Sequence, residues 1–326
     1  MKTFTTLLKR EFWEHRGGFL WTPFVVVAVF VLFTLVGLTA GEMHVDGRDF
    51  KVMNIPLAQM VNGMSPEVMG NVAKGINAGL AMMAIIVQIV LGIVLFFYLI
   101  GTLFDDRKDR SILFWKSMPV SDIETVGSKI VTAAFTAPLI AWFAAILFHV
   151  VMLGLISLWL AFHGINAFKL LWSSGIAAQV HPIKLWMVMF AAIPVNALWA
   201  LPTYGWLLLV SSWARSKPFI WAVAVPMVTG ALLSWMDMLT NLRIPENWMW
   251  FHVIPRGLAS VLPYSWGPGS KSVGYNFSGN STPADIISLD SLASVLSSPG
   301  LWIGVAAGIL MIAAAVYLRR YREIAD

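Results

Sequence analysis

The sequence contains no cysteine, which excludes disulfides, thiolate metal sites and cysteine nucleophiles. Charge is scarce as well. Asp, Glu, Lys and Arg make up 12% of the 326 residues, against roughly a quarter in a soluble domain. A phosphate loop is also missing. No G-x-x-x-x-G-K-[ST] occurs, and the nearest run, Gly127, Ser128 and Lys129, has the wrong order and no glycine loop before it. There is no H-E-x-x-H and no G-x-S-x-G, and the six histidines (His15, His44, His149, His163, His181, His252) are scattered. The chain therefore reads as a non-enzyme, with no catalytic residue, no metal site and no cofactor of its own. If it does work, the energy comes from a partner or from a gradient.

Apolar sequence is what the chain has in excess. Hydrophobic residues account for 58% of it. They fall in six segments, about 18–40, 79–104, 131–162, 184–213, 219–239 and 300–318. Each meets the ~20 residues that a bilayer crossing requires. The third and fourth exceed that length and so tilt, kink or project into water. Pro138, Pro194, Pro202 and Pro226 are the candidate kinks. The expected fold is an all-α polytopic membrane protein with six transmembrane helices, a domain spanning residues 18–326. Residues 1–17 precede it as an interfacial amphipathic helix. There Phe4, Leu7, Leu8, Phe12 and Trp13 share a broad face, and Lys2, Lys9, Arg10 and Glu14 lie largely away from it. Five charges at Lys9, Arg10, Glu11, Glu14 and Arg16, before so long a span, do not read as a cleavable signal peptide.

The net charge of +5 is a topology signal rather than a nucleic-acid footprint, because the cations cluster. With the N-terminus inside, fourteen of the 22 Lys and Arg residues fall on the cytoplasmic side and eight outside. Short loops dominate this bias, and RSKP at 215–218 and RRYR at 319–322 both point inward. The expectation is a multi-pass protein of the cell inner (plasma) membrane with both termini cytoplasmic. Outward segments then cover about 41–78, 163–183 and 240–299, the last mixing aromatics with a Gly/Ser/Asn-rich run. Trp21, Trp213, Trp221, Trp235 and Trp302 lie near span ends, as an aromatic belt requires, while Trp142 and Trp199 are expected between helices.

The most informative stretch is the loop at 105–129, DDRKDRSILFWKSMPVSDIETVGSK. It is dense in charge, so it lies in water, yet Ile112, Leu113, Phe114 and Trp115 form an apolar block inside it. Such a block either docks a partner or lies in the headgroup layer. Pro119 breaks one helix, and Ser121 and Glu124 then spell a capping box, so a new helix starts near Asp122 and runs into the third span. Lys129 is expected to snorkel at the cytoplasmic edge of that span. Before the proline, Ser111 to Ser117 is long enough for two turns of a short transverse helix.

The run SILFWKSMPVSD after a basic-acidic patch resembles the permease subunits of type-2 ATP-binding-cassette (ABC) exporters. The opening LLKREFWEHRG is similar to that family's interfacial connecting helix, and LWIGVAAGILMIAAAVYLRRYRE to its last span and arginine tail. These stretches cover about a third of the chain, in the right order. The resemblance implies a coupling helix docked in a groove of a separate ATPase. That role falls on Ser111, Ile112, Leu113, Phe114, Trp115 and Pro119, with Phe114 and Trp115 as anchors. It further implies two ATPase copies carrying ATP and Mg, a second permease copy as homodimer or related heterodimer, a lipid bilayer around them and no nucleic acid. The large segment at 240–299 departs from the better-known members.

Polar residues inside spans are the remaining candidates. Gln88, His149, Asn196, Tyr204 and Asp237 each offer either a functional group or an interhelical hydrogen bond. Gly304 and Gly308 form a G-x-x-x-G, which more often means close packing than a gate. In the resembling family the transport path is lined chiefly by the second and fifth spans, which points to Gln88, Met227, Thr229 and Trp235 and to a bulky amphipathic, lipid-like, peptide or drug-like cargo. Two rival readings stand beside ATP-driven export: a scaffold or sensor subunit coupled to an ATPase, and a gradient-driven carrier.

Overall fold

The computed structural model describes residues 2–43, 51–52, 55–56, 65–117, 119–162, 166–167, 178–240, 249–266 and 283–321. Helix dominates them. Helix α1 covers Lys2–Glu14, and a π-helical turn at Gly17–Trp21 leads into α2, Thr22–Met43. A two-residue hairpin, β1 (Lys51–Val52) against β2 (Ile55–Pro56), follows. Helix α3 runs Pro66–Lys108, α4 Ser111–Ser117 and α5 Asp122–Val131. A second π turn, Thr132–Thr136, joins α5 to α6, Ala137–Phe162. Then come α7 (Pro182–Trp213), α8 (Pro218–Thr240), α9 (Ile254–Leu258), α10 (Pro283–Ile286), α11 (Leu289–Ser297) and α12 (Pro299–Tyr321). Six of the helical stretches are long and apolar enough to cross a membrane. The chain is an all-α polytopic membrane protein apart from the small hairpin.

The helix ends follow from local chemistry. Ser65 caps α3 by accepting from the Val68 N–H, with Pro66 at the first helical position where no donor is needed. That cap starts the helix well before residue 79, so the latter part of the segment 41–78 is helical and continuous with the second span. The π turn at Thr132–Thr136 sits just ahead of Pro138, whose missing N–H and ring disturb the preceding turn. Pro194, Pro202 and Pro226 are accommodated inside continuous helices.

Helix α7 is the hub. It is buried along most of its length and packs against α3, α6 and α12. Its contact with α12 is the most extensive among the described residues, and three glycines let the helices approach. A Cβ at Gly205 would meet the Gly308 carbonyl oxygen at 2.6 Å, and one at Gly308 would meet the Leu201 carbonyl at 2.6 Å. At Gly304 it would meet the Arg256 guanidinium at 2.7 Å. The G-x-x-x-G of the last span is therefore a packing face, with backbone against backbone. Two apolar clusters line the hub. One joins Phe19, Leu91, Leu95, Leu99, Phe148 and Leu207. The other gathers Trp199, Tyr264, Trp266, Leu292 and Leu301. In the second, buried indole N–H groups are satisfied: Trp199 donates to Ser265 Oγ at 2.9 Å and Trp266 to Ser291 Oγ at 3.1 Å.

By contrast α2 and α8 are mostly exposed, with Phe33, Val36, Val228, Leu232 and Trp235 turned outward. In a polytopic protein those faces meet lipid or another chain rather than water.

Candidate functional site

One end of the bundle collects α1, the connection between α3 and α5, the end of α7 and the end of α12. This is where the cations concentrate, and it holds a buried network of charges. Lys129 is 1% exposed, and its ammonium meets three acceptors: Thr102 Oγ1 at 2.6 Å, Glu11 Oε1 at 3.0 Å and Asp106 Oδ2 at 3.7 Å. The first two are hydrogen bonds and the third is an ion pair. Arg319 reaches Asp106 Oδ2 at 3.1 Å through Nη1 and Asp122 Oδ1 at 3.2 Å through Nε. Tyr98 donates its hydroxyl to Glu11 Oε2 at 2.8 Å. Arg107 donates through Nη2 to the carbonyls of Ser211 (2.7 Å) and Ala214 (2.8 Å), where α7 has run out of intrahelical donors. The Ser211 hydroxyl in turn accepts from the Leu103 and Phe104 N–H groups.

Each cation comes from a different element, and so does each link. Lys129 (α5) binds α1 and α3, Arg319 (α12) binds α3 and α5, and Arg107 (α3) binds α7. Five helices are locked at one level. Lys129, expected to snorkel into water, instead points inward, because two carboxylates on neighbouring helices compensate its charge better than the headgroup layer would. The carboxylates themselves, Glu11 and Asp106, are 1% and 7% exposed. From the sequence, Arg107 and Arg319 counted only toward topology, Glu11 only against a signal peptide and Asp106 only as one charge of the loop at 105–129. Their one visible signal was position, since each stands within a turn or two of a span's charged end.

The loop on top of this network is helical. Arg110 takes a left-handed backbone, φ 57°, which turns the chain sharply from α3 into α4. Ser111 Oγ donates to the Asp106 carbonyl at 3.2 Å, and the Leu113 N–H to that of Arg110 at 3.2 Å. Ile112 is fully buried, so it anchors α4 to its own chain, while Leu113 is exposed. The side chains of Phe114 and Trp115 lie outside the described residues. Pro119 is exposed, and Ser121 opens α5 with a complete capping box. Its hydroxyl accepts from the Glu124 N–H, and the Glu124 carboxylate accepts from the Ser121 N–H, both at 3.1 Å. A cavity of about 570 Å³ lies between this capped turn and the end of α12, with Ser121, Asp122, Tyr317, Arg319 and Arg320 on its walls.

The two sides of α1 differ in burial. Leu7 and Glu11 face the protein, whereas Trp13 is exposed. Behind it His15 stacks edge-on against Tyr98, ring centroids 4.7 Å apart. Burial lowers the pKa of this imidazole, against the opposing pull of the Glu11 carboxylate. Glu11, Glu14 and His15 could each point a ligand atom into a space 4.8 Å across. Both carboxylates are already neutralised, Glu11 by Lys129 and Glu14 by Arg10 at 2.6 Å.

The residues proposed for a path are not brought together. Gln88 lines a small internal void of about 20 Å³ with Asn196 and Tyr204. Met227 and Trp235 lie on the exposed face of α8, and Thr229 borders a different cavity near Arg256. The other polar residues in the spans make structural bonds. His149 Nδ1 accepts from the Trp186 indole at 2.9 Å, which leaves Nε2 to donate to the Leu80 carbonyl at 2.9 Å. That fixes one neutral tautomer. Asn196 Oδ1 accepts from the Tyr264 N–H at 3.0 Å, holding a residue with φ 59°. No protein-family model, no curated protein and no solved structure matches this chain.

Proposed function

We propose that this chain is the membrane-spanning permease subunit of an ATP-driven ABC exporter. In this reading the charged end faces the cytoplasm, α4 is the coupling helix and Phe114 and Trp115 anchor it in a groove of the partner ATPase. Two ATPase copies would supply ATP, Mg and hydrolysis, and a second permease copy would complete the path. The cargo would be amphipathic: lipid-like, peptide or drug-like. Closure of the ATPases would drive the two coupling helices together and switch access from one side to the other.

The observation that carries the reading is the joint beneath α4. A helix that receives a push must pass it to the spans rather than absorb it. Here α4 leaves α3 through one tight turn and reaches α5 within a few residues, and both helices are bound through Asp106, Lys129, Asp122 and Arg319 to α1 and α12. Helix ends tied by several ion pairs across the bundle move as one body. The resemblance to type-2 exporter permeases in SILFWKSMPVSD, in the opening helix and in the arginine tail adds to this. The neutral, doubly bonded His149 counts against a proton-driven carrier.

Reconstitution with a candidate ATPase tests the proposal. Hydrolysis should depend on this chain and respond to cargo. Truncating a buried aromatic anchor typically costs ~2 kcal/mol or more, so Phe114→Ala with Trp115→Ala should weaken ATPase docking about thirtyfold. Normal co-purification and stimulation by the double variant would remove α4 from the coupling role. Stimulation without flux would favour a scaffold or sensor subunit, and flux without ATP would sink the ABC reading.

A further inference from the structure

At the end of the bundle away from the charge network, α8 and α12 both lean on α7 but share no extended contact. Between them lies a cavity of about 680 Å³, open on one side. That size falls within the roughly 300–1,000 Å³ typical of small-molecule sites. Its walls are apolar over most of their extent: Pro202 and Trp206 of α7, Val225 and Pro226 of α8, Ile303 and Ala307 of α12. Its polar end is made by the segment 249–257, which contributes His252 and Arg256.

Arg256 is placed with care but left without a counter-ion. Its guanidinium carbon lies 3.2 Å from the centroid of the Trp199 ring. Nη1 donates to Ser260 Oγ at 3.4 Å, and the Arg256 carbonyl accepts from Thr203 Oγ1 at 3.0 Å. Gly304 is what makes room, since a Cβ there would stand 2.7 Å from Nη2. Among the described residues no carboxylate comes within ion-pairing distance of it, and neither Arg256 Nη2 nor His252 Nδ1 has a hydrogen-bond partner. An aromatic face compensates a cation only partly. A buried polar group without a partner costs stability, and a site that keeps such groups beside an apolar cavity is arranged for something that supplies the missing acceptors.

We propose that this cavity holds one anionic membrane phospholipid, its phosphate at the Arg256 and His252 end and an acyl chain lying between α8 and α12. The occupant's two halves follow from the two halves of the cavity. The cation calls for an anion, and the walls of Pro202, Trp206, Ile303 and Ala307 call for a chain rather than a compact ion. The opening between two exposed spans gives entry from the bilayer and not from water. Trp302 and Trp235, both exposed near the ends of α12 and α8, suit the headgroup level of that leaflet. This goes beyond the transport reading and does not depend on it.

The test uses the purified full chain in detergent, without nucleotide or ATPase. Phosphatidylglycerol and phosphatidylcholine are titrated separately and bound lipid is counted by native mass spectrometry. Phosphatidylcholine keeps the phosphate but brings a choline cation beside Arg256 and so is no net anion; a charge-assisted contact offset in this way changes affinity about tenfold, so phosphatidylglycerol should bind about tenfold tighter than phosphatidylcholine. Arg256→Gln should erase that preference. So should Ala307→Phe, which fills the chain's path and leaves the charge, and which keeps the proposal testable should Arg256→Gln fail to fold. Lys74→Gln, an exposed cation, should leave the preference intact. Equal binding of the two lipids overturns the proposal, and so does a preference that survives Ala307→Phe. Displacement of the lipid by millimolar glycerol phosphate would also overturn it, because the site would then read a free anion.

Discussion

The two ends of this bundle treat buried charge in opposite ways. At the charged end Lys129, Arg319, Glu11 and Asp106 neutralise one another, and the Lys129 ammonium meets two carboxylates and a hydroxyl. At the other end Arg256 rests on an indole ring with no carboxylate near it among the described residues. The difference teaches what each end is for. A saturated network gains nothing from a ligand and resists separation of the helices that supply it, so it serves as a joint. An unsaturated cation beside an apolar cavity leaves interaction energy unspent, so it serves as a site.

The largest expected effect comes from breaking the joint. Lys129→Met strands Glu11 as a buried charge and leaves Asp106 to Arg319 alone, and removal of one partner from a buried pair typically costs ~3–5 kcal/mol. Thermal unfolding in detergent should report that loss. Adding Glu11→Gln should recover part of it, because the stranded charge goes too. Arg256→Met offers the contrast. It removes a cation that strands no opposite charge, trading a ring contact of ~0.5–2 kcal/mol and a long bond to Ser260 for relief of burial, so lipid-free stability should stay within about 1 kcal/mol of the parent. Equal losses at Lys129 and Arg256 would erase the distinction between joint and site.

A smaller effect should separate the two ends spatially. Helix α12 serves both, giving Arg319 to the network and Gly304 to the Arg256 pocket. Gly308→Ala places a methyl against the Leu201 backbone, which cannot withdraw as a side chain could. Overpacking of this kind costs ~1–3 kcal/mol. The displacement should open the α7–α12 seam near Arg256 and lower phosphatidylglycerol binding, while the cross-bundle pairs of Lys129 stay intact. Cysteine cross-linking between α1 and α5 distinguishes the two, since the chain has no cysteine of its own.

What could be read from the sequence was what is local or periodic. Six apolar runs give six spans because each needs only its own length. The Ser121–Glu124 box forms from four adjacent residues, and Gly304 with Gly308 announces a face four residues apart. The network could not be read in this way. Glu11, Asp106, Lys129 and Arg319 are separated by as many as 308 positions, and only the packing of α1, α3, α5 and α12 brings them together. Lys129 was misjudged for that reason: at the edge of an isolated span a lysine snorkels, but beside two carboxylates from other helices it does not. The early start of α3 was missed because Ser65 and Pro66 sit in a stretch too polar to stand out by hydropathy. Arg256 was counted as one of eight outward cations, since nothing nearby in sequence sets it against Trp199.

The smallest effect concerns His15, at the margin of the joint. Burial against Tyr98 and Phe19 disfavours its charged form, while Glu11, Glu14 and Asp105 favour it and Lys129 opposes it. The net result is a folded-state pKa below the ordinary 6.5, with burial the largest cause. Above that value neither state binds the proton, and His15 adds no pH dependence. As pH falls through about 6.5 the unfolded chain takes up a proton first, so stability declines until the folded state protonates as well. Melting temperature measured at about pH 7.5 and about pH 5.5 should therefore drop for the parent. His15→Phe keeps the ring contacts and removes the titration, so its melting temperature should drop less. An identical drop in both would move the acid sensitivity off His15 and overturn its assignment as the titrating group.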